Sequence, residues 1–198
     1  MKEEILAQIK RESLEEHIPI IMDDTLAVIQ KILKEEKPAR ILEIGTATGY
    51  SSICFARCCE NTVEIDTIER DGERAEVAKQ NIEKMGLQEQ IHILVGDALE
   101  ILPTLTEESY DIIFIDAAKG KYPFFLEESI RLAKKKAVIL ADNILYKGYV
   151  LGDYHKHKQR TAVNHLREYI KESTENPNLQ TKILDVGDGL AISQLQKE

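Results

Sequence analysis

Arg40-Ile41-Leu42-Glu43-Ile44-Gly45-Thr46-Ala47-Thr48-Gly49-Tyr50-Ser51 reads as a strand that passes through a glycine-bounded turn into a helix. Pro38 stops the helix before it, and Ile41, Leu42 and Ile44 make an apolar run of the length of a buried strand. Gly45 and Gly49 fall where strand gives way to helix, so backbone can approach a ligand at the carboxyl edge, where open α/β sheets bind. The spacing Gly-x-x-x-Gly is not the dinucleotide fingerprint Gly-x-Gly-x-x-Gly, and the acid before it, Glu43, would repel a pyrophosphate.

Outward from this turn, apolar runs alternate with amphipathic stretches, the pattern of a mostly parallel sheet covered by helices on both faces. Two leading helices are expected around 5–9 and 25–33, then a helix over 51–59, a strand over 64–68 and a helix over 72–85 closed by Gly86. Strands follow at 91–95 and 110–115, a helix at 122–133, a strand at 137–140 and a helix at 161–171. The last strands, 181–185 and 190–194, flank Gly187-Asp188-Gly189, whose Asp-Gly predicts a closing antiparallel hairpin. No repeat or linker interrupts the pattern, so residues 1–198 read as one domain with 1–37 as leading helices.

Composition narrows the function classes. With 43% hydrophobic and 31% charged residues the chain is globular. It has neither an apolar stretch long enough to span a bilayer nor the basic start of a signal peptide, and a cytoplasmic location is expected. Cys54, Cys58 and Cys59 lack Cys-x-x-Cys spacing and read as small apolar residues of a reducing compartment. A net charge of −9 argues against indiscriminate nucleic-acid binding but leaves room for a local basic patch.

Acidic residues end successive strands. Glu43 suits a ligand with a cationic amino-acid end, such as S-adenosylmethionine. Glu69 lies near the roughly 20-residue offset at which an acid takes ribose hydroxyls, and Asp97-Ala98 stands where an adenine amino group would be met. Asp116-Ala117-Ala118-Lys119 ends the fourth strand and Asp142-Asn143 the fifth. If these are parallel neighbours, three oxygen ligands suited to Mg²⁺ and one lysine meet at one rim. A cation beside Lys119 would push its pKa down and make it a candidate base. Asp and Asn are also common wherever a strand turns, but acids on four strands in succession favour a site.

These segments, with Leu42 to Ser51, Thr67-Ile68-Glu69 and Asp142-Asn143-x-Leu145, resemble the cation-dependent O-methyltransferases, the family of catechol and caffeoyl-CoA O-methyltransferases. Within it, His17-Ile18-Pro19-Ile20, Asp116-Ala117-Ala118-Lys119-Gly120-x-Tyr122, Asp142 to Gly148 and Val186 to Ser193 are most similar to bacterial tRNA 5-hydroxyuridine methyltransferases. The resemblance implies a Rossmann-like class I methyltransferase fold: a seven-stranded, mostly parallel sheet with a C-terminal antiparallel hairpin. It implies that Glu43, Gly45, Ser51, Glu69, Asp97, Ala98 and Asp116 hold S-adenosylmethionine, and that Asp116, Asp142 and Asn143 hold Mg²⁺ with Lys119 as base. It also implies a homodimer whose leading helices cover the cleft.

The implied reaction turns the 5-hydroxyl of wobble 5-hydroxyuridine in tRNA into a 5-methoxyl. The same metal site would serve a small catechol-like phenol, because both acceptors offer a hydroxyl with an oxygen neighbour. A nucleotide-binding oxidoreductase or a non-catalytic binding module is a more remote alternative. Lys147, Lys156, Lys158 and Arg160 follow the fifth strand's carboxyl end and are the candidate contacts for a tRNA anticodon loop. Lys134-Lys135-Lys136 precedes that strand and is expected at a helix C-terminus. His155-x-His157 lacks a partner acid and is set aside as a metal pair.

Overall fold

The computed structural model describes residues 1–59, 62–152 and 159–196. Seven strands build a mixed sheet surrounded by helices. The chain divides into two compact units, Met1–Ile101 and Leu102–Glu198.

The first unit opens with helices α1 (Lys2–Glu15) and α2 (Asp23–Glu36), both longer than their apolar patterns alone suggest. Strands β1 (Arg40–Ile44), β2 (Glu64–Glu69) and β3 (Ile91–Val95) are parallel and ordered β3-β2-β1, connected through α3 (Tyr50–Cys58) and α4 (Gly72–Met85). Ile41, Leu42, Ile44, Ile65 and Ile68 are buried, which is why these strands read as continuous apolar runs. Asp71 caps α4 by accepting from the Glu73 and Arg74 N–H groups at 3.0 and 3.2 Å, a contact worth about 1 kcal/mol. One short helix, α5 (Ala98–Ile101), carries too little pattern to be seen in the sequence.

The second unit holds β4 (Tyr110–Ile115), α6 (Tyr122–Leu132), β5 (Ala133–Ala141), α7 (Arg160–Glu175), β6 (Leu179–Leu184) and β7 (Leu190–Leu195). Here β4 and β5 are parallel, and β7 lies antiparallel between β5 and β6, giving the order β4-β5-β7-β6. Phe114, Ile139, Leu140, Leu166, Tyr169 and Leu190 are buried in its core. The predicted closing hairpin is present, with β6 starting two residues earlier than its apolar pattern.

The three lysines 134–136 depart from expectation. They lie inside β5 rather than at a helix end. Tyr110 pairs Ala133 and Ile112 pairs Val138, so the ladder resumes only after β5 has bulged out between those pairs. Lys136 takes a left-handed φ of 65° there, and Lys134 is anchored on Asp111 at 2.9 Å.

Candidate active site

In the first unit the turn after β1 is left-handed at Gly45, Ala47 and Gly49, with φ of 110°, 48° and 78°. A side chain is tolerated at Ala47 because its N–H is held by Glu69 Oε2 at 2.9 Å, while Glu69 Oε1 accepts from the Asp71 N–H at 3.0 Å. Glu69 thus ties its strand end to the turn. Asn81 from α4 donates to the Thr48 carbonyl at 3.0 Å, and Ser13 from α1 pairs with the Thr48 hydroxyl at 2.9 Å. The turn is built from four elements.

Glu43 is fully buried in β1. Its carboxylate accepts from the hydroxyls of Ser51, Ser52 and Thr67, and Thr67 meets Thr46 at 2.6 Å. Ser51 therefore serves Glu43. At the end of β3, Asp97 is exposed and its carboxylate accepts from the Leu99 N–H at 2.9 Å, next to Ala98. Glycine-bounded backbone, Glu69 and Asp97-Ala98 all stand at carboxyl ends of parallel strands, the donor and acceptor set that an amino-acid-bearing nucleoside needs.

In the second unit, the ends of β4 and β5 bring Asp116, Lys119 and Asn143 together. The Lys119 ammonium donates to Asp116 Oδ1 at 3.1 Å, Asn143 Oδ1 at 2.8 Å and Tyr122 Oη at 3.0 Å. Asp142 is 1% exposed. Its Oδ1 accepts from the Asn143 N–H at 2.7 Å, while Oδ2 is buried without a hydrogen-bond partner among the described residues. Burial pushes the Asp142 carboxyl up to about 7, the charge of Asp116 adds to the rise, and the Asn143 N–H opposes it. An orphaned buried carboxylate oxygen beside a second carboxylate and a carboxamide fits a hard divalent cation. Among the described residues no three His, Cys, Asp or Glu side chains gather as a metal cluster, so this candidate site rests on two acids and an amide.

The lowering expected of Lys119 is one that a neighbouring cation would bring. Burial alone would also lower the Lys119 pKa, but Tyr122 and Asp116 hold the ammonium above the ordinary lysine value. The physical reason is that the Tyr122 hydroxyl and then the Asp116 carboxylate both lie within hydrogen-bond distance of the ammonium.

Tyr122 is the contact whose role the sequence does not reveal. It is fully buried, accepts from Lys119 and donates to the Asp142 carbonyl at 2.8 Å, bridging the two strand ends. The Lys119 nitrogen also sits 5.1 Å from its ring centroid, and Tyr169 packs edge-on against that ring. The sequence signals it by its place three residues after Lys119, at the end of the Asp116-to-Tyr122 segment, without indicating what its hydroxyl does.

Of the basic candidates, Lys147 and Arg160 are exposed, whereas Lys156 and Lys158, like His155 and His157, lie outside the described residues. Cys54, Cys58 and Cys59 are free thiols, Cys54 buried. No helix among the described residues is long and apolar enough to cross a membrane.

A profile of the O-methyltransferase family matches residues 2–196. A catechol O-methyltransferase of Niastella koreensis is 37% identical over 161 residues, 77% of this chain and 72% of that protein. A catechol O-methyltransferase of Mycobacterium tuberculosis is 35% identical over 78% of this chain and 70% of its own length. The crystal structure of the Streptomyces achromogenes O-methyltransferase TomG, involved in tomaymycin synthesis and solved in complex with S-adenosylmethionine, superposes with a TM-score of 0.86 at 26% identity, covering 98% of this chain and 90% of that one.

Proposed function

The chain belongs to the O-methyltransferase family, and on that premise we propose a Mg²⁺-dependent enzyme that methylates the 5-hydroxyl of wobble 5-hydroxyuridine in tRNA, with S-adenosylmethionine as methyl donor. Family membership removes the oxidoreductase and the non-catalytic module from consideration. The observation that carries the metal reading is Asp142 Oδ2, a buried carboxylate oxygen without a hydrogen-bond partner among the described residues, next to the oxygens that Lys119 gathers.

Gly45, Glu69 and Asp97-Ala98 would hold the donor, supported by their position on strand ends and by the donor-bound relative. Glu43, whose carboxylate accepts from three hydroxyls and keeps acceptor capacity on Oε1, would meet the donor's amino group, with Ser51 at its amino-acid end. Asp116, Asp142 and Asn143 would hold the cation, which supplies a lowered pKa and a fixed orientation to a chelated acceptor hydroxyl. With Asp116 engaged in that role, the attraction that keeps Lys119 protonated would weaken, and the ammonium would release one proton to solvent to become a free amine. Its amine then accepts the hydroxyl proton, and Tyr122 keeps the nitrogen aimed while it does so. Methyl transfer from a sulfonium needs little beyond this, because the leaving group is already good and positioning supplies much of the rate.

The tRNA acceptor is supported by the four segments that resemble tRNA 5-hydroxyuridine methyltransferases and by exposed Lys147 and Arg160 after β5. A small catechol-like acceptor is favoured instead by the two relatives that bear that name. Incubation with labelled S-adenosylmethionine, Mg²⁺ and either hypomodified bacterial tRNA or a catechol panel, read by mass spectrometry, separates them. Label in tRNA as 5-methoxyuridine is expected; methylated catechols with unlabelled tRNA would overturn the tRNA reading.

A further inference from the structure

The turn Gly187-Asp188-Gly189 does more than close a hairpin. The Ile144 N–H donates to the Gly189 carbonyl at 3.0 Å and the Leu145 N–H to the Asp188 carbonyl at 2.9 Å. The Lys147 N–H donates to the Asp188 carboxylate. These bonds grip the segment that runs on from the candidate metal ligand Asn143. Within it Asn143, Tyr146, Lys147 and Gly148 have φ of 55°, 45°, 57° and 74°. A tyrosine and a lysine side by side in the left-handed region are strained, and such backbone persists only where its surroundings impose it.

The fit between the two segments is close. Gly189 has φ of +90°, and a Cβ there would come within 2.4 Å of Leu145 Cγ and 2.9 Å of the Leu145 nitrogen. Any side chain at 189 would push the Asn143 segment away. Because β7 pairs with β5, the turn before β7 lies at the end of β5 that carries Asp142 and Asn143.

We propose that Asp188 is a positioning residue: by holding the Lys147 and Leu145 N–H groups it keeps Asn143 Oδ1 in place beside Asp116, and so sets the affinity for the divalent cation. This rests on the reading of Asp116, Asp142 and Asn143 as the cation site. Outer contacts that orient metal ligands commonly carry roughly 10- to 100-fold in affinity.

The test is Mn²⁺ binding to the full chain, followed by the paramagnetic resonance of the free ion, alongside calorimetry of S-adenosylmethionine binding. Wild type, Asp188→Ala and Asp188→Asn are compared. Asp188→Ala should weaken Mn²⁺ binding roughly 10-fold or more, while donor affinity changes less than about twofold. Asp188→Asn, whose carboxamide oxygen still accepts an N–H, should recover most of the loss. In turnover, the KM for the divalent cation should rise by the same factor while kcat at saturating cation holds. If Asp188→Ala does not fold, Asp188→Ser, too short to reach the Lys147 N–H, carries the same expectation. Unchanged Mn²⁺ affinity in the Ala or Ser variant overturns the proposal. So does an equal loss in Asp188→Asn, which would mean that charge rather than position matters. Absence of Mn²⁺ binding by the wild type would instead overturn the metal reading itself, and this proposal with it.

Discussion

Two buried carboxylates, Glu43 in the first unit and Asp142 in the second, behave oppositely. Glu43 is closed off from solvent with hydroxyls of Ser51, Ser52 and Thr67 on its oxygens. Asp142 is as deeply buried, yet one of its oxygens meets only the Asn143 N–H and the other has no partner among the described residues. The first is compensated within the fold, since charge-assisted hydrogen bonds offset its desolvation. The second leaves one desolvated carboxylate oxygen without a hydrogen bond among the described residues. Burial alone does not mark a functional acid; burial without satisfaction does.

The contrast can be broken most decisively at turnover. Asp142→Ala should reduce kcat by more than the roughly 10- to 100-fold that outer contacts typically carry, and EDTA should do the same to the wild type. Full activity after EDTA would contradict the metal reading. Lys119→Met should cost about 10²- to 10⁴-fold in kcat, the range for a lost proton acceptor, with donor affinity retained. A loss below tenfold would remove Lys119 from the chemistry.

Stability provides a sharper form of the same comparison, because the two acids should differ in sign. In EDTA, Glu43→Gln should lower unfolding free energy by about 1.5–3 kcal/mol as charged hydrogen bonds are lost. Asp142→Asn should raise it by about 1–3 kcal/mol, because the variant removes a charge that burial penalises. Urea denaturation of both variants at pH 8 measures the two shifts, and a shared sign would dissolve the contrast. The pH dependence follows from the Asp142 carboxyl standing near 7 when folded, above its unfolded value of about 4. The folded chain then binds the proton more tightly, so this group's contribution falls as pH rises from about 4 to about 7. Asp142→Asn should flatten that part of the metal-free stability profile. The smallest effect belongs to Lys147→Ala, which should reduce the salt slope of tRNA binding by about 1 and leave stability unchanged.

Much of this was legible in the sequence. The β1 turn was readable because glycines bound it, and the candidate metal rim because Asp116 and Asp142-Asn143 each end an apolar run. What escaped depends on partners distant along the chain. Thr67 reaches Glu43 from the neighbouring strand, so that hydrogen bond of Glu43 has no local sign. Tyr122 looks like any helical aromatic until its hydroxyl is seen between Lys119 and the Asp142 carbonyl. The three lysines were misplaced because a bulge follows no hydrophobic period. Asp188 announced a turn but not the segment 41 residues earlier that the turn grips.

That grip has a consequence for how the molecule comes into being. Domains form largely from the N-terminus as the chain is synthesised, and contacts between distant residues close late. The turn at 45–49 is anchored by Glu69 and Asn81, both soon available to a growing chain. The segment after Asn143 takes its shape from Asp188 and Gly189, which follow most of the polypeptide. A ribosome-bound chain would therefore own its β1 turn well before the candidate metal site at Asn143 could set.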